Sequence, residues 1–375
     1  MIHLLLSADY ELYLGANHLP EEEVLLHPSR ELLRLCNRLA VPLTLFADVA
    51  CFWRYREWGE EAFVTACEAQ MVEFLGGGHD IQAHLHPHWL TTERSEAGFC
   101  FPPGDYLLAP QALDETEARE RARLLLRHAK TYLETLLRPI DPTYRCLAFR
   151  AGGYGVQPHV GPLFQALREE GYRIDSSIIP GFTLREATHR VDFSRVPQGG
   201  HGWFGAEGGL ECTLAPGRGL FEIPIASARL EAEEARRLQW PLALEQAWRI
   251  VAPLRARTVR GRSCHTPPTG TTPGPGRLKQ AWWRANAILG NRFLRLEVNT
   301  SARLLTACLN HHVRQWRQPG QELFLAVNMH PKGMERWHFD QLARFVAQAR
   351  RDHGDRLDFL TFQQAEKRLP PEATP

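Results

Sequence analysis

Three histidines at alternate positions, His84, His86 and His88, follow a Gly-rich turn in GHDIQAHLHPHW, with Pro87 interrupting any helix there. An extended backbone sends alternate side chains to one face, so all three imidazoles would point the same way. Neutral imidazole is the commonest metal ligand. Catalytic zinc usually takes three protein ligands and keeps a position for water. The segment therefore fits a metal site, with a hydrogen-bonded cluster in a chain of 17 histidines as the plain alternative. A further ligand has to come from another part of the chain.

Three other segments bring chemistry to what read as strand ends. SADYE carries Asp9 and Glu11 two residues apart, which puts both carboxylates on one face and Tyr10 on the other. FRAGGYG delivers Arg150 and then a turn through Gly152, Gly153 and Tyr154, where glycine lets backbone N–H groups approach a ligand closely. ELFLAVNMHP ends on His330, again followed by proline. Arg150 alone reads equally as a salt-bridge partner, and a lone strand-end histidine is usually structural. Charged residues at the C-terminal ends of barrel strands are, as a group, usually functional.

The elements that would position them alternate in type. Apolar runs HLLLSAD, VPLTLFAD, DIQAHL, CLAFR, RIDSSI, LFEIPI, ELFLAVNM and LDFLTF are interleaved with helical patterns over 28–39, 60–74, 115–137 and 339–351. That rhythm predicts an α/β fold with a largely parallel sheet, and eight strands favour a barrel. Irregular stretches at 91–110, 183–219 and 257–277 lack the periodicity of a domain and read as insertions on one scaffold. The last holds HTPPTGTTPGPG between basic shoulders, a stretch with nothing to pack.

Lys plus Arg number 44 against 43 Asp plus Glu, so no global field argues for nucleic acid or an anionic membrane. No run approaches the ~20 apolar residues of a spanning helix. The N-terminal apolar run meets Asp9 too early for a signal peptide. Eight scattered cysteines contain no C-x-x-C pair and suit a reducing compartment. The expected location is the cytoplasm.

In this order the motifs resemble those of the polysaccharide deacetylase superfamily. SADYE resembles its first motif, AHLHPH the second, H-x-x-x-H, through His84 and His88, FRAGGYG the third, FEIPI the fourth and NMHP the fifth. The likeness spans roughly Ile2 to Phe362. It implies a single catalytic domain over 1–375 with a distorted β/α barrel of about seven to eight strands, bearing the three insertions. It further implies a metal-dependent carbohydrate deacetylase, a hydrolase of C–N bonds other than peptide bonds. The expected substrate is an N-acylated sugar in nucleotide-linked, lipid-linked or polysaccharide form, for instance a lipopolysaccharide precursor.

Residue by residue, the resemblance makes Asp9 the base, Arg150 its partner and His330 the general acid. It assigns a divalent metal, expected to be Zn²⁺, to His84, His88 and a carboxylate. The common motif has adjacent Asp residues where this chain has Asp9, Tyr10 and Glu11, so the carboxylate role passes to Glu11, with Asp9 as the alternative. Gly153 and Tyr154 would supply the oxyanion-binding backbone, and Trp89, standing where the family has proline, would either stack on a sugar or belong to the core. Glu222, with Asp175 as the alternative, would support His330, while His86 is left beside the metal pair. Two further readings stay open: a metal-independent cyclic-amide hydrolase on the same barrel, and an inactive carbohydrate-binding relative.

Overall fold

The computed structural model describes residues 1–13, 19–96, 98–102, 104–186, 188–198, 201–205, 209–251, 292–316 and 322–369. The expected insertion at 257–277 lies outside the described residues.

In chain order the strands are β1 Ile2–Tyr10, β2 Thr44–Asp48, β3 Asp80–Leu85, β4 Glu93–Ser95, β5 Gly98–Cys100, β6 Ala148–Ala151, β7 Ile174–Asp175 and β8 Thr183–Arg185. They continue with β9 Arg190–Asp192, β10 Gly202–Phe204, β11 Leu220–Glu222, β12 Ser227–Arg229, β13 Phe293–Arg295, β14 Leu323–Met329 and β15 Leu357–Phe359. The helices are α1 His27–Leu39, α2 Val49–Glu57, α3 Glu61–Gly76, α4 Glu115–Leu137, α5 Val160–Glu169, α6 Ala232–Val251, α7 Ala302–Gln315, α8 Arg336–His353 and α9 Phe362–Glu366.

One sheet organises the chain in the order β10-β11-β7-β6-β3-β2-β1-β14, parallel throughout except for β10 on β11. All eight apolar runs enter this sheet. β15 does so in an unforeseen place: it pairs with Ile2–Leu4 of β1, while β2 pairs with Ser7–Tyr10 of the same strand. The sheet curls until its ends meet. The residues after β11 bridge β14 through Ile225 and Ala326, and Glu297 bridges Asn328 on the same strand. Closure by single bridges in place of a continuous ladder is what distorts the barrel.

β1 shows why the sequence folds this way. Its nine residues are all buried, as expected for a parallel strand covered on both faces. Leu4, Leu6, Ala8 and Tyr10 pack into the layer shared with the helices, and Tyr10 Oη donates to Gln70 of α3 at 2.8 Å. Leu5 turns the other way, joining Phe46, Ala148, Ile174, Phe221 and Phe324 in the inner core. Ser7 and Asp9 follow on that inner side, so the barrel interior grades from apolar at one end to polar at the C-terminal ends of its strands. The helix α4 is closed at its start by a capping box between Asp114 and Glu117.

The insertion at 91–110 contributes the β4–β5 hairpin, and 183–219 contributes the β8–β9 hairpin and β10.

Candidate active site

Arg150 is the anchor. It leaves β6 fully buried over the Phe46 ring, with its guanidinium carbon 4.1 Å from the ring centroid. Its donors are spent on five acceptors. Nη1 donates to Asp9 Oδ1 (2.6 Å) and Asn328 Oδ1 (2.7 Å), Nη2 to Ser7 Oγ (2.8 Å) and Ser176 Oγ (3.1 Å), and Nε to the Ser176 carbonyl (3.0 Å). Asn328 completes the frame by donating from Nδ2 to Asp9 Oδ2 at 3.2 Å. Burial pushes the Asp9 carboxyl up, but the Arg150 charge beside it and the His330 contact outweigh burial and hold it well below the usual carboxylate range.

Above this layer the polar groups converge on Glu11. Its Oε2 lies 2.5 Å from His86 Nε2 and 3.5 Å from His84 Nε2, while its Oε1 lies 2.9 Å from Lys332 Nζ and 3.8 Å from His330 Nε2. Burial raises the Glu11 carboxyl, yet Lys332 and then the two histidines bring it well below its ordinary value. His84 donates from Nδ1 to the Arg150 carbonyl at 2.7 Å. A carbonyl can only accept, so the Nδ1–H tautomer is set and Nε2 is left facing the site. Burial lowers the His84 pKa, but Glu11 and Asp9 raise it further, and the net shift is upward.

His330 stands across the site from the histidine loop. Its Nε2 is 3.2 Å from Asp9 Oδ2 and its Nδ1 is 3.6 Å from Glu297 Oε1. Burial pulls its pKa down, and Asp9, then Glu297 and Glu11, pull it up more, so the ring is biased towards imidazolium.

Among the described residues two groups have ligand atoms within 4.8 Å of one another: Glu11, His84 and His86, and Asp9, Glu11 and His330. Glu11 belongs to both. Two buried atoms that face each other here, His84 Nε2 and Glu11 Oε2, make no well-formed hydrogen bond, although His86 Nε2 lies 2.5 Å from the same carboxylate oxygen. Buried polar atoms are costly to leave unsatisfied, and two imidazoles with a carboxylate are the donor set of a catalytic zinc site. The residues fit a divalent ion.

The histidine loop does not place its three rings alike. Alternation holds for His84 in β3 and for His86 just past its end (φ −111°, ψ 88°), and both rings reach Glu11. It fails at Pro87, which starts a 3₁₀ turn over Pro87–Thr91 and carries His88 off the strand's face. His88 is outside the group around Glu11. Its ring lies parallel to Tyr106 at 5.0 Å and edge-on to Phe101 at 4.6 Å, and burial with the neighbouring His86 holds its pKa well below normal.

The structure places Trp89 and Glu222 away from the roles that the resemblance implies. Trp89 is fully buried among Tyr55, Trp58, Phe99 and Phe101, so its indole is core and not a platform for a sugar. The hairpin β4–β5 brings two of those rings. Glu222 does not meet His330, and neither does Asp175. The two carboxyls face each other, Glu222 Oε1 accepting from Ile178 N at 3.1 Å and Asp175 Oδ1 from Ser177 Oγ at 2.7 Å. The acid at His330 Nδ1 is Glu297, itself 2.8 Å from Arg295.

The turn after β6 closes the site. A Cβ on Gly152 would lie 2.5 Å from the Leu85 carbonyl and 2.6 Å from His86 Nδ1, so only glycine fits under the His86 ring. Gly153 and Tyr154 both have positive φ, +58° and +60°. For tyrosine this is uncommon backbone, of the kind that clusters at functional sites. His189, from beside the β8–β9 hairpin, contacts the Gly153 carbonyl at 2.9 Å and stacks on Tyr106 at 4.5 Å.

Lys332, Glu297, Asn328 and Tyr106 were not singled out in the sequence. Asn328 and Lys332 stand two residues either side of His330, and their positions on an NMHPK strand end were the one available signal.

No family model and no curated protein matches the chain. Among solved structures it is similar to a chain from Mycobacterium smegmatis assigned as a polysaccharide deacetylase, at 14% identity and TM-score 0.46, covering 100% of this chain and 93% of that one. It is also similar to Puue allantoinase, at 14% identity and TM-score 0.42, covering 98% and 89%. A chain from Pseudomonas aeruginosa PAO1, likewise assigned as a polysaccharide deacetylase, is similar at 15% identity and TM-score 0.43, covering 98% and 90%. Among the described residues no helix is long and apolar enough to cross a membrane.

Proposed function

We propose that this chain is a metal-dependent hydrolase that removes an N-acyl group, of the acetyl type, from a sugar or sugar-containing envelope precursor. The observation that carries this is the convergence of His84 Nε2 and His86 Nε2 on the buried Glu11 carboxylate, directly beside an Arg150-held carboxylate and His330. Glu11, His84 and His86 would hold the ion. When bound, a divalent ion such as Zn²⁺ supplies the positive charge that polarises an acyl carbonyl and acidifies a water.

The chain's own groups then divide the proton work. Asp9, kept ionised and fixed in place by Arg150 and Asn328, accepts the proton of the attacking water. Because its pKa is so depressed, it is a weak base and needs an acidified donor. The water oxygen bonds to the acyl carbon, and the oxyanion faces the backbone N–H groups of the Gly153–Tyr154 turn. His330, charged and backed by Glu297, gives its proton to the amine nitrogen as the C–N bond breaks. Water and amide become carboxylic acid and amine.

The test is amine release from N-acetylated monosaccharides and their nucleotide-linked forms by the Zn²⁺-loaded chain, with and without chelator. Chelator-sensitive release supports the reading. Chelator-insensitive ring opening of a cyclic amide, with no release from the sugars, would favour a second reading, a metal-independent cyclic-amide hydrolase, to which the Lys332 ammonium on Glu11 lends support as a built-in countercharge.

A further inference from the structure

The helices α6, α7 and α8 enclose a groove of about 560 Å³ lined by Leu238, Thr306, Arg303, Arg314, Arg344 and Arg351, with Glu234 as its acid. It runs on into a recess of about 400 Å³ lined by Pro241, Trp337 and Asp340. None of the site residues lines either part. All four arginines are exposed. Arg314 reaches Glu234 only at 3.9 Å and Arg351 bonds a neutral partner, Gln348, at 2.7 Å. No ion pair is found for Arg303 or Arg344 among the described residues, so the four arginines outnumber the two acids of the groove and recess, Glu234 and Asp340.

The helix beside it presents three sides. At about 100° per residue, Ala235, Gln239 and Ala243 share the buried side of α6, while Glu234, Leu238 and Pro241 share the groove side. Trp240 and Leu244 occupy a third side adjoining the groove, and they are 55% and 53% exposed. Large apolar side chains this exposed, one turn apart, beside Arg236 and an Arg237 that lies 3.4 Å from Glu233, give a local apolar foothold of the kind that enters a lipid headgroup region. The chain over 252–291 carries seven Lys and Arg residues and no Asp or Glu, so the adjoining sequence does not supply the missing negative charge.

We propose that the α6–α7–α8 face docks on the anionic surface of a phospholipid bilayer. The arginines of the groove take the lipid phosphates, and Trp240 and Leu244 enter the headgroup region. This is independent of the chemistry assigned to the barrel site.

The test is flotation of the full chain with phosphatidylcholine vesicles and with vesicles containing one-third phosphatidylglycerol. Binding is expected to the anionic vesicles alone and to fall as salt rises. The double variant Arg303→Glu/Arg344→Glu should lower partitioning by about tenfold or more, and Trp240→Ser/Leu244→Ser should lower it several-fold while keeping the salt dependence. Circular dichroism confirms that each variant folds. Absent binding, equal binding to both vesicle types, or retention by both double variants would overturn the proposal. So would thermal protection by inorganic pyrophosphate with no vesicle binding, which would make the groove a site for a soluble phosphate.

Discussion

Replacing Arg150 by methionine isolates the electrostatic frame of the site. The guanidinium is fully buried and makes five hydrogen bonds, one of them to a carboxylate that is also buried. Removing one member of such a pair leaves an uncompensated charge and costs about 3–5 kcal/mol. Unfolding entropy of about 2.1 cal/mol/K per residue over 375 residues comes to about 0.8 kcal/mol/K, so the expected fall in Tm is about 4–6 °C. Scanning calorimetry in chelator reads this without any contribution from bound metal. Arg150→Met combined with Asp9→Asn removes both charges and should recover at least half of the loss, as coupled neighbours do. A double variant no more stable than Arg150→Met would refute the claim that the Asp9 charge is what Arg150 compensates.

Three further outcomes are expected. Lys332→Met removes the ammonium 2.9 Å from Glu11, so affinity for a divalent cation should rise on the order of tenfold as a like charge is withdrawn, read by competition with a chromophoric chelator; weaker binding would contradict it. Gly152→Ala forces a methyl group towards His86 Nδ1, which should cost about 1–3 kcal/mol in urea unfolding and weaken the metal site, whereas unchanged stability and affinity would count against the packing described. Burial, and then Asp175, raise the Glu222 carboxyl well above its ordinary value. Its contribution to stability is therefore full below the unfolded carboxylate pKa and is lost as pH rises through the folded one. Glu222→Gln should flatten that loss in urea titrations from acid to alkaline pH, and an unaltered slope would show that the pair does not hold a proton.

The barrel was legible because its strands are buried on both faces and so read as apolar runs, and because Asp9, His84, Arg150 and His330 each stand where such a run ends. Alternation in β1 correctly separated Asp9 from Tyr10. What was not legible depended on contacts that leave no period. Pro87 ends the extended backbone one residue before His88, which a strand-face argument extrapolated past it cannot detect. Glu297 enters on a segment joined to β14 by a single bridge, too short to show alternation. Trp89 looked available because the aromatic hairpin that buries it, with Phe99, lies in a stretch with no helical or strand pattern of its own. β15 was recognised as a strand, but its place on β1 follows from β2 starting only at Ser7, a register no single strand reveals.

The most direct measurement is the metal content and Zn²⁺ affinity of His86→Ala beside His88→Ala. With Glu11, His84 and His86 as the ligands, the first variant should lose stoichiometric metal and on the order of a hundredfold or more in affinity, since even partners beyond the ligands are worth about 10–100-fold, while the second keeps one ion per chain. Full occupancy in His86→Ala with loss in His88→Ala would contradict the site built here, and so would a native chain that binds no divalent ion.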